Sequence, residues 1–353
     1  MSKCKCFFAF SPCEPTSAPP LCSASPSGQS PCPGFPAAPR RESNNRKETP
    51  MKNGILILHK EEGMTSQTAV ARLRRLFGGI KAGHTGTLDP MATGVLPVML
   101  GNATRAGEFM LSSVKHYDAI LRLGLTTDTE DTTGTVLTRS PHLPTEKEVQ
   151  EALCAFRGEI LQTPPMYSAL KVGGRKLVDL ARQGVEVERD PRPITVYALT
   201  AERLSESDYR LSCTVSKGTY IRTLCADIGA ALGVGGVMAA LCRTRASGFS
   251  LEEAVTLSEL EAMSPEEREA RILPVHRIFR ELPRVDLSPF FARLAKCGCP
   301  LSLSKLRLSF PVGGLVTLWQ EGRFFALAEC VAENRQLPDS GPALKPIRQF
   351  PED

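Results

Sequence analysis

Gly54-Ile55-Leu56-Ile57-Leu58 is a short apolar run with no polar face, the pattern of a strand buried on both sides. Ser66 then stands where a helix N-cap belongs. Val70, Leu73 and Phe77 recur on one helical face, and Gly78-Gly79 closes the helix. Val95 to Leu100 predicts another strand. Tyr117, Ala119, Leu121 and Leu123 alternate with Asp118, Ile120 and Arg122, as a half-buried strand does. Thr145-Glu146-Lys147-Glu148 has the form of a capping box. It leads into Val149, Leu153 and Phe156 on one face, with Gly158 as the stop. Tyr209, Leu211, Cys213 and Val215 alternate again, and Ile221, Leu224, Ile228 and Leu232 follow helical spacing. Strands and helices mix without a regular βαβ beat, so the expected class is α+β with a mixed, largely antiparallel sheet flanked by helices.

Two regions break this pattern, and a third changes its character. Residues 1–50 carry nine prolines between Pro12 and Pro39 among Ser, Ala and Gly, and are expected to form a disordered tail. Residues 164–193 are rich in Gly, Pro and basic side chains (Lys171, Arg175, Lys176, Arg182, Arg189, Arg192). They suit an excursion onto a polyanion as well as a solvated loop. From about Val285 to Phe350 short strands return (Leu315 to Trp319, Arg323 to Ala328), which fits a small β-rich module.

Composition narrows the class of function only a little. The 353 residues are 42% apolar and 23% charged, enough for a buried core, and the net charge of +5 permits a nucleic-acid partner without demanding one. Five of the twelve cysteines lie in the tail, and the rest are scattered without a repeated spacing, as in a cytoplasmic protein with reduced thiols. Cys297-Gly298-Cys299 and Cys4-Lys5-Cys6 lack a second ligand pair at zinc spacing, so no metal site is expected. No apolar run reaches the ~18 residues of a membrane span.

Candidate chemistry is concentrated in Gly83-His84-Thr85-Gly86-Thr87-Leu88-Asp89-Pro90-Met91-Ala92-Thr93-Gly94-Val95-Leu96-Pro97. Glycines and prolines fix a non-repetitive backbone there, and loops of that kind present functional side chains. Pro90 biases Asp89 toward an extended conformation that projects its carboxylate, although an Asp before Pro is also a common turn former. Gly83-x-x-Gly86 by itself is weak evidence, because it lacks the lysine and helix of a phosphate loop.

This long string resembles the catalytic signature of the TruB family of pseudouridine synthases. The resemblance continues at Lys115-His116-Tyr117-Asp118, Met166 to Lys171, Ala181 to Gly184, Arg192 to Tyr197 and Ser216 to Thr223, in the family's order from about Gly54 to Val255. It implies the pseudouridine synthase fold over residues 51–280, with 164–193 as an RNA-gripping insertion and 281–353 as a PUA-like RNA-binding module. It also implies isomerisation of uridine to pseudouridine in the T-loop of tRNA (position 55), with no cofactor, metal or protein partner, by a monomer. Asp89 is then the catalytic carboxylate. It must stay ionised in a dry pocket, so a fixed cation is needed, and Arg222 matches that position. Tyr117 matches the ring that stacks on the extruded base, Tyr220 a second pocket aromatic, His84 a residue holding the flipped nucleotide, and Leu241 an apolar wall. One departure stands out. Where the family's first strand ends leucine–aspartate–lysine–proline, this chain has Leu58-His59-Lys60-Glu61, and without the proline Lys60 is not counted in the site.

Three rival readings remain. An RNA-binding or tRNA-folding protein on the same scaffold needs no essential catalysis, but the flanks of Asp89 are intact. A guide-RNA-dependent relative is disfavoured by the 164–193 insertion. A small-molecule enzyme would need a lysine-bearing phosphate loop or a dinucleotide fingerprint, and neither is present.

Overall fold

The structure, a computed structural model, describes residues 53–110, 114–332 and 341–350; the proline-rich tail lies outside the described residues. β1 (Gly54–Lys60) is apolar from Ile55 to Leu58 because both of its faces are covered. Leu56 and Leu58 enter the main core cluster, while Ile55 and Ile57 enter a second one with Val95, Met99 and Phe249. α1 (Ser66–Leu76) lays Ala69, Val70 and Leu73 on the main core. Its N-cap is Thr65, which accepts from Thr68 N–H. Ser66, expected to cap, is the first helical residue, and its hydroxyl has a different use.

β2 (Ala82–His84) and β3 (Thr93–Leu100) follow, the second ending against the four-residue helix α2 (Gly107–Met110) through a 3-10 turn. β4 (Lys115–Leu123) buries alternate residues as expected. β5 (Leu125–Thr127) and β6 (Val136–Arg139) form a small side hairpin. α3 (Glu146–Leu153) begins with the complete Thr145–Glu148 capping box, and β7 (Gly158–Gln162) leaves it. In the basic excursion, β8 (Lys171–Val172) and β9 (Arg175–Lys176) are joined through Gly173 and Gly174, both at positive φ, before α4 (Leu177–Ala181). β10 (Arg192–Arg203) and β11 (Asp208–Val215) pair antiparallel, α5 (Ile221–Ala231) crosses behind, and β12 (Gly236–Ala246) returns into the sheet.

The main sheet has the order β1-β3-β12-β4-β11-β10-β7, with β2 beside β3 and the short β13 (Phe249–Ser250) beside β12. Only the β3–β12 contact is parallel, at Thr93↔Cys242 and Gly94↔Arg243; the sheet is mixed and largely antiparallel. Helices α6 (Leu257–Ala262) and α7 (Pro265–Ala270) both open with capping boxes.

A second sheet of five strands then forms: β14 (Arg284–Asp286), β15 (Leu301–Ser302), β16 (Leu315–Gln320), β17 (Arg323–Val331) and β18 (Ala343–Gln349), in the order β14-β16-β17-β18-β15. α8 (Pro289–Lys296) and α9 (Leu303–Leu306) pack on its own apolar cluster. Ala106 and Phe109 meet Phe279, Phe324 and Phe350 where the two sheets adjoin. Cys213, Cys225 and Cys330 are buried as small apolar residues, but Cys154 and Cys297 are exposed, so apolar packing does not explain every thiol.

Candidate active site

The segment from Thr85 to Ala92 links β2 to β3, and its backbone is fastened at every second residue. Arg243 Nη2 donates to Gly86 O at 2.9 Å. Ser66 Oγ donates to Leu88 O at 3.0 Å and accepts from Leu88 N–H at 2.8 Å. Lys60 Nζ donates to Pro90 O at 3.2 Å and Ala92 O at 2.6 Å. Leu88 and Ala92 are themselves in the main core, so the loop is anchored on both sides of Asp89. The Asp89 side chain keeps 37% of its surface exposed. A rigid backbone thus presents one accessible carboxylate.

Arg222 reaches that carboxylate from the first turn of α5. Its Nε lies 2.9 Å from Asp89 Oδ2, and the arginine side chain is only 6% exposed. The other guanidinium nitrogens are also engaged: Nη2 donates to Tyr167 O at 2.7 Å, and Nη1 donates to Thr129 O at 3.0 Å. Nη1 also faces Asp131 Oδ2 at 3.6 Å. Asp131 is buried, and its Oδ1 accepts from Thr129 Oγ1, Thr133 N–H and Thr133 Oγ1. The polar run Thr126 to Thr135 therefore has a structural use: it fixes Asp131, which helps fix Arg222. A guanidinium clamped on several sides holds Asp89 in one position and supplies the cation an ionised carboxylate needs.

Tyr117 is buried on β4, and burial raises its hydroxyl pKa while the nearby Arg243 opposes that shift. Tyr220 precedes α5. Gln162 clasps its backbone, donating from Nε2 to Tyr220 O and accepting from Tyr220 N–H. Burial raises the Tyr220 hydroxyl as well. Tyr117 is the register partner of Arg243, which bonds the Asp89 loop, and Tyr220 lies two residues before Arg222, which pairs with Asp89, so both rings border the carboxylate. His84 ends β2 with its Nδ1 buried and without a hydrogen-bond partner; burial and then Arg243 lower its pKa. Leu241 lies opposite Ala119 on β12 and shares the apolar cluster of Leu88 and Tyr117.

Two cations that bond the Asp89 loop were not among the expected residues. Lys60 is fully buried and bonds the Asp89 loop at two carbonyls, together with Glu61 O. Burial lowers its ammonium to about 8, against the opposing pull of Asp89 and Glu62. Arg243 is 1% exposed and sits under the loop. Lys115 lies in the same cationic setting, lowered to about 8 by burial, then by Arg243 and Lys217. The available sign was position: Arg243 follows Leu241 by two residues on a strand and so shares its face.

The fold is shared with known proteins. Solved structures of a Cbf5–Nop10–Gar1 complex (27% identity, 86% of each chain, TM-score 0.66) and of an H/ACA RNP bound to a substrate RNA containing 2′-deoxyuridine (25% identity, 85% of this chain and 86% of that one, TM-score 0.62) superpose on it. The fold is that of a pseudouridine synthase with a curled, PUA-like β module at its C-terminal end.

A model of the TruB family pseudouridylate synthase N-terminal domain matches residues 74–221, and one of the tRNA pseudouridylate synthase B C-terminal domain matches 222–280. Proteins named tRNA pseudouridine synthase B are similar to it: that of Aromatoleum aromaticum is 44% identical over 287 residues (81% of this chain, 91% of the relative), and that of Methylobacillus flagellatus 41% over 295 (82% and 96%). The chain belongs to the TruB family. The boundary between the two family models falls inside α5, and the second contributes β12 to the middle of the main sheet, so they are parts of one fold.

Proposed function

We propose that this protein isomerises uridine to pseudouridine at position 55 in the T-loop of tRNA, with Asp89 as the catalytic carboxylate. The observation that carries the reading is the pairing of a partly exposed Asp89 with a buried, fully engaged Arg222 beside two aromatic residues. The reaction breaks N1–C1′ of uridine, turns the uracil and forms C5–C1′; the proton on C5 is released and N1 takes one up. It consumes no cosubstrate. A fixed carboxylate next to the nucleotide suits the electron-poor centre left as N1–C1′ opens.

A uridine in folded RNA must first leave its stack. Tyr117 offers the ring on which the extruded base rests, an interaction contributing about 1–3 kcal/mol that tolerates rotation of the base. Tyr220 and Leu241 close the pocket around it, His84 holds the displaced nucleotide, and Arg222 keeps Asp89 oriented. The exposed basic side chains of the 164–193 excursion face the RNA backbone, and residues 281–353 add a second RNA-binding surface. The enzyme acts as a monomer in the cytoplasm, on tRNA alone; no helix among the described residues is long and apolar enough to cross a membrane.

The test is release of tritium from 5-³H-uridine in an unmodified tRNA transcript, comparing wild type with Asp89→Asn. Wild type should release label from the T-loop, and the isosteric variant should bind the tRNA without releasing it. If both bind and neither releases label, the protein is an RNA-binding or folding module on this scaffold and the enzyme reading fails.

A further inference from the structure

Arg243 is a buried cation hydrogen-bonded to two main-chain carbonyls, Val95 O at 2.8 Å through Nε and Gly86 O at 2.9 Å through Nη2. Burying a guanidinium costs several kcal/mol unless its surroundings compensate, and two neutral acceptors make modest compensation. Its place in the sheet is equally specific. Arg243 is the register partner of Tyr117 across β4–β12 and of Gly94 across β3–β12, so one residue touches the three strands that meet beneath the Asp89 loop. A methyl group on Gly86 would come within 3.2 Å of Arg243 Nη1, which shows how closely the loop rests on the guanidinium. The Tyr117 hydroxyl lies against the same group.

We propose that Arg243 is a positioning residue that couples the Asp89 loop to Tyr117, so that the base-stacking ring and the carboxylate keep a fixed separation during turnover. Val95 O and Gly86 O lie on opposite sides of Asp89 in sequence, and a planar fork can hold both while keeping an N–H for the Tyr117 hydroxyl. A lysine supplies the charge but a single point of donation. The inference rests on the function proposed above, since it needs a nucleotide between Tyr117 and Asp89.

The experiment is a double-mutant cycle on the full chain, with single-turnover pseudouridine formation and tRNA affinity measured for wild type, Arg243→Lys, Tyr117→Phe and the double variant. Arg243→Lys should lower the single-turnover rate at least about 10-fold with tRNA affinity unchanged. In the Tyr117→Phe background the same change should cost less than about 3-fold, because residues acting through one another are not additive. If the lysine variant does not fold, Arg243→Gln, which keeps an amide donor but not the fork, replaces it in the cycle. An undiminished loss in the Tyr117→Phe background, or no loss at all, overturns the coupling. Absence of product from wild type in the same assay instead sinks the function on which it rests.

Discussion

Ser66 holds Leu88 by both of its backbone polar groups, donating to the carbonyl at 3.0 Å and accepting from the N–H at 2.8 Å. One hydroxyl at the start of a helix thereby satisfies a buried peptide on the residue just before Asp89. Thr65, its neighbour, does the capping of α1. Two adjacent hydroxyl residues have separate tasks, and substitution separates them.

Ser66→Ala leaves a buried donor and acceptor without partners. The expected loss is about 1–3 kcal/mol of stability, together with a lower turnover number because the Asp89 loop loosens. Thr65→Ala removes an exposed cap and should cost about 1 kcal/mol with turnover unchanged. Urea unfolding and steady-state kinetics on the pair check this. Equal effects on turnover would mean that Ser66 does not act through the loop.

Arg222 and Asp131 give the second prediction. Asp131→Ala leaves the buried guanidinium without one of its two acidic neighbours and frees the threonine donors around it. Breaking such a buried pair typically destabilises by about 3–5 kcal/mol. Arg222→Lys keeps the charge but cannot bond Asp89, Thr129 O and Tyr167 O from one plane. Pseudouridine formation should fall at least about 100-fold in Arg222→Lys, a loss of about 2.7 kcal/mol in transition-state stabilisation. Single-turnover assays at saturating tRNA decide it; activity within a few-fold of wild type would show that charge alone suffices.

The hydropathy pattern made β4 and β11 legible because each buries every second side chain, and the capping box of α3 was legible because its two bonds need Thr and Glu three residues apart. β12 was not legible, although it occupies the middle of the sheet. Its register slips between Met238 and Ala240 and again between Arg243 and Arg245, and each bulge breaks the period of two. The same slips hid Arg243, since Cys242-Arg243-Thr244-Arg245 has the look of an exposed basic stretch. Lys60 was passed over because the residue after it is Glu61 where the family has proline. The structure gives Lys60 three carbonyl acceptors, so its place depends on tertiary bonds that no local pattern reports. Ser66 was assigned as the cap because Ser outranks Thr at that position, whereas here its hydroxyl is engaged by Leu88 and Thr65 caps the helix.

Gly94 tests the strand junction. It has φ +106, and a Cβ there would meet the backbone N of Arg243 at 2.7 Å and its carbonyl oxygen closer still. Neither is a flexible side-chain end, so β3 and β12 would have to part. Gly94→Ala should be recovered poorly or unfold several kcal/mol more easily, as overpacking combined with backbone strain requires. Gly83→Ala is the control: its nearest neighbour would be Thr104 Cγ2 at 3.9 Å, and it should fold normally. Thermal melts of the two variants check the contrast, and similar melting temperatures would refute the close approach.

The last prediction concerns pH. Lys60 is fully buried, and burial lowers its pKa from 10.5 to about 8. A lysine that titrates lower in the folded chain than in the unfolded one binds fewer protons when folded, across the interval between the two values. Its contribution to stability is therefore flat and least favourable below about 8, where both states are charged, and grows as pH rises from about 8 toward 10.5. The slope is at most about 1.4 kcal/mol per pH unit. Lys115, also lowered to about 8, has the same sign, so wild type alone would mix the two. Lys60→Met isolates one of them. The unfolding free energy of wild type minus that of Lys60→Met, measured in urea from about pH 7.5 to about pH 9.5, should shift toward wild type with rising pH. A difference that stays level would show that Lys60 remains charged over this range and anchors the Asp89 loop as a full cation.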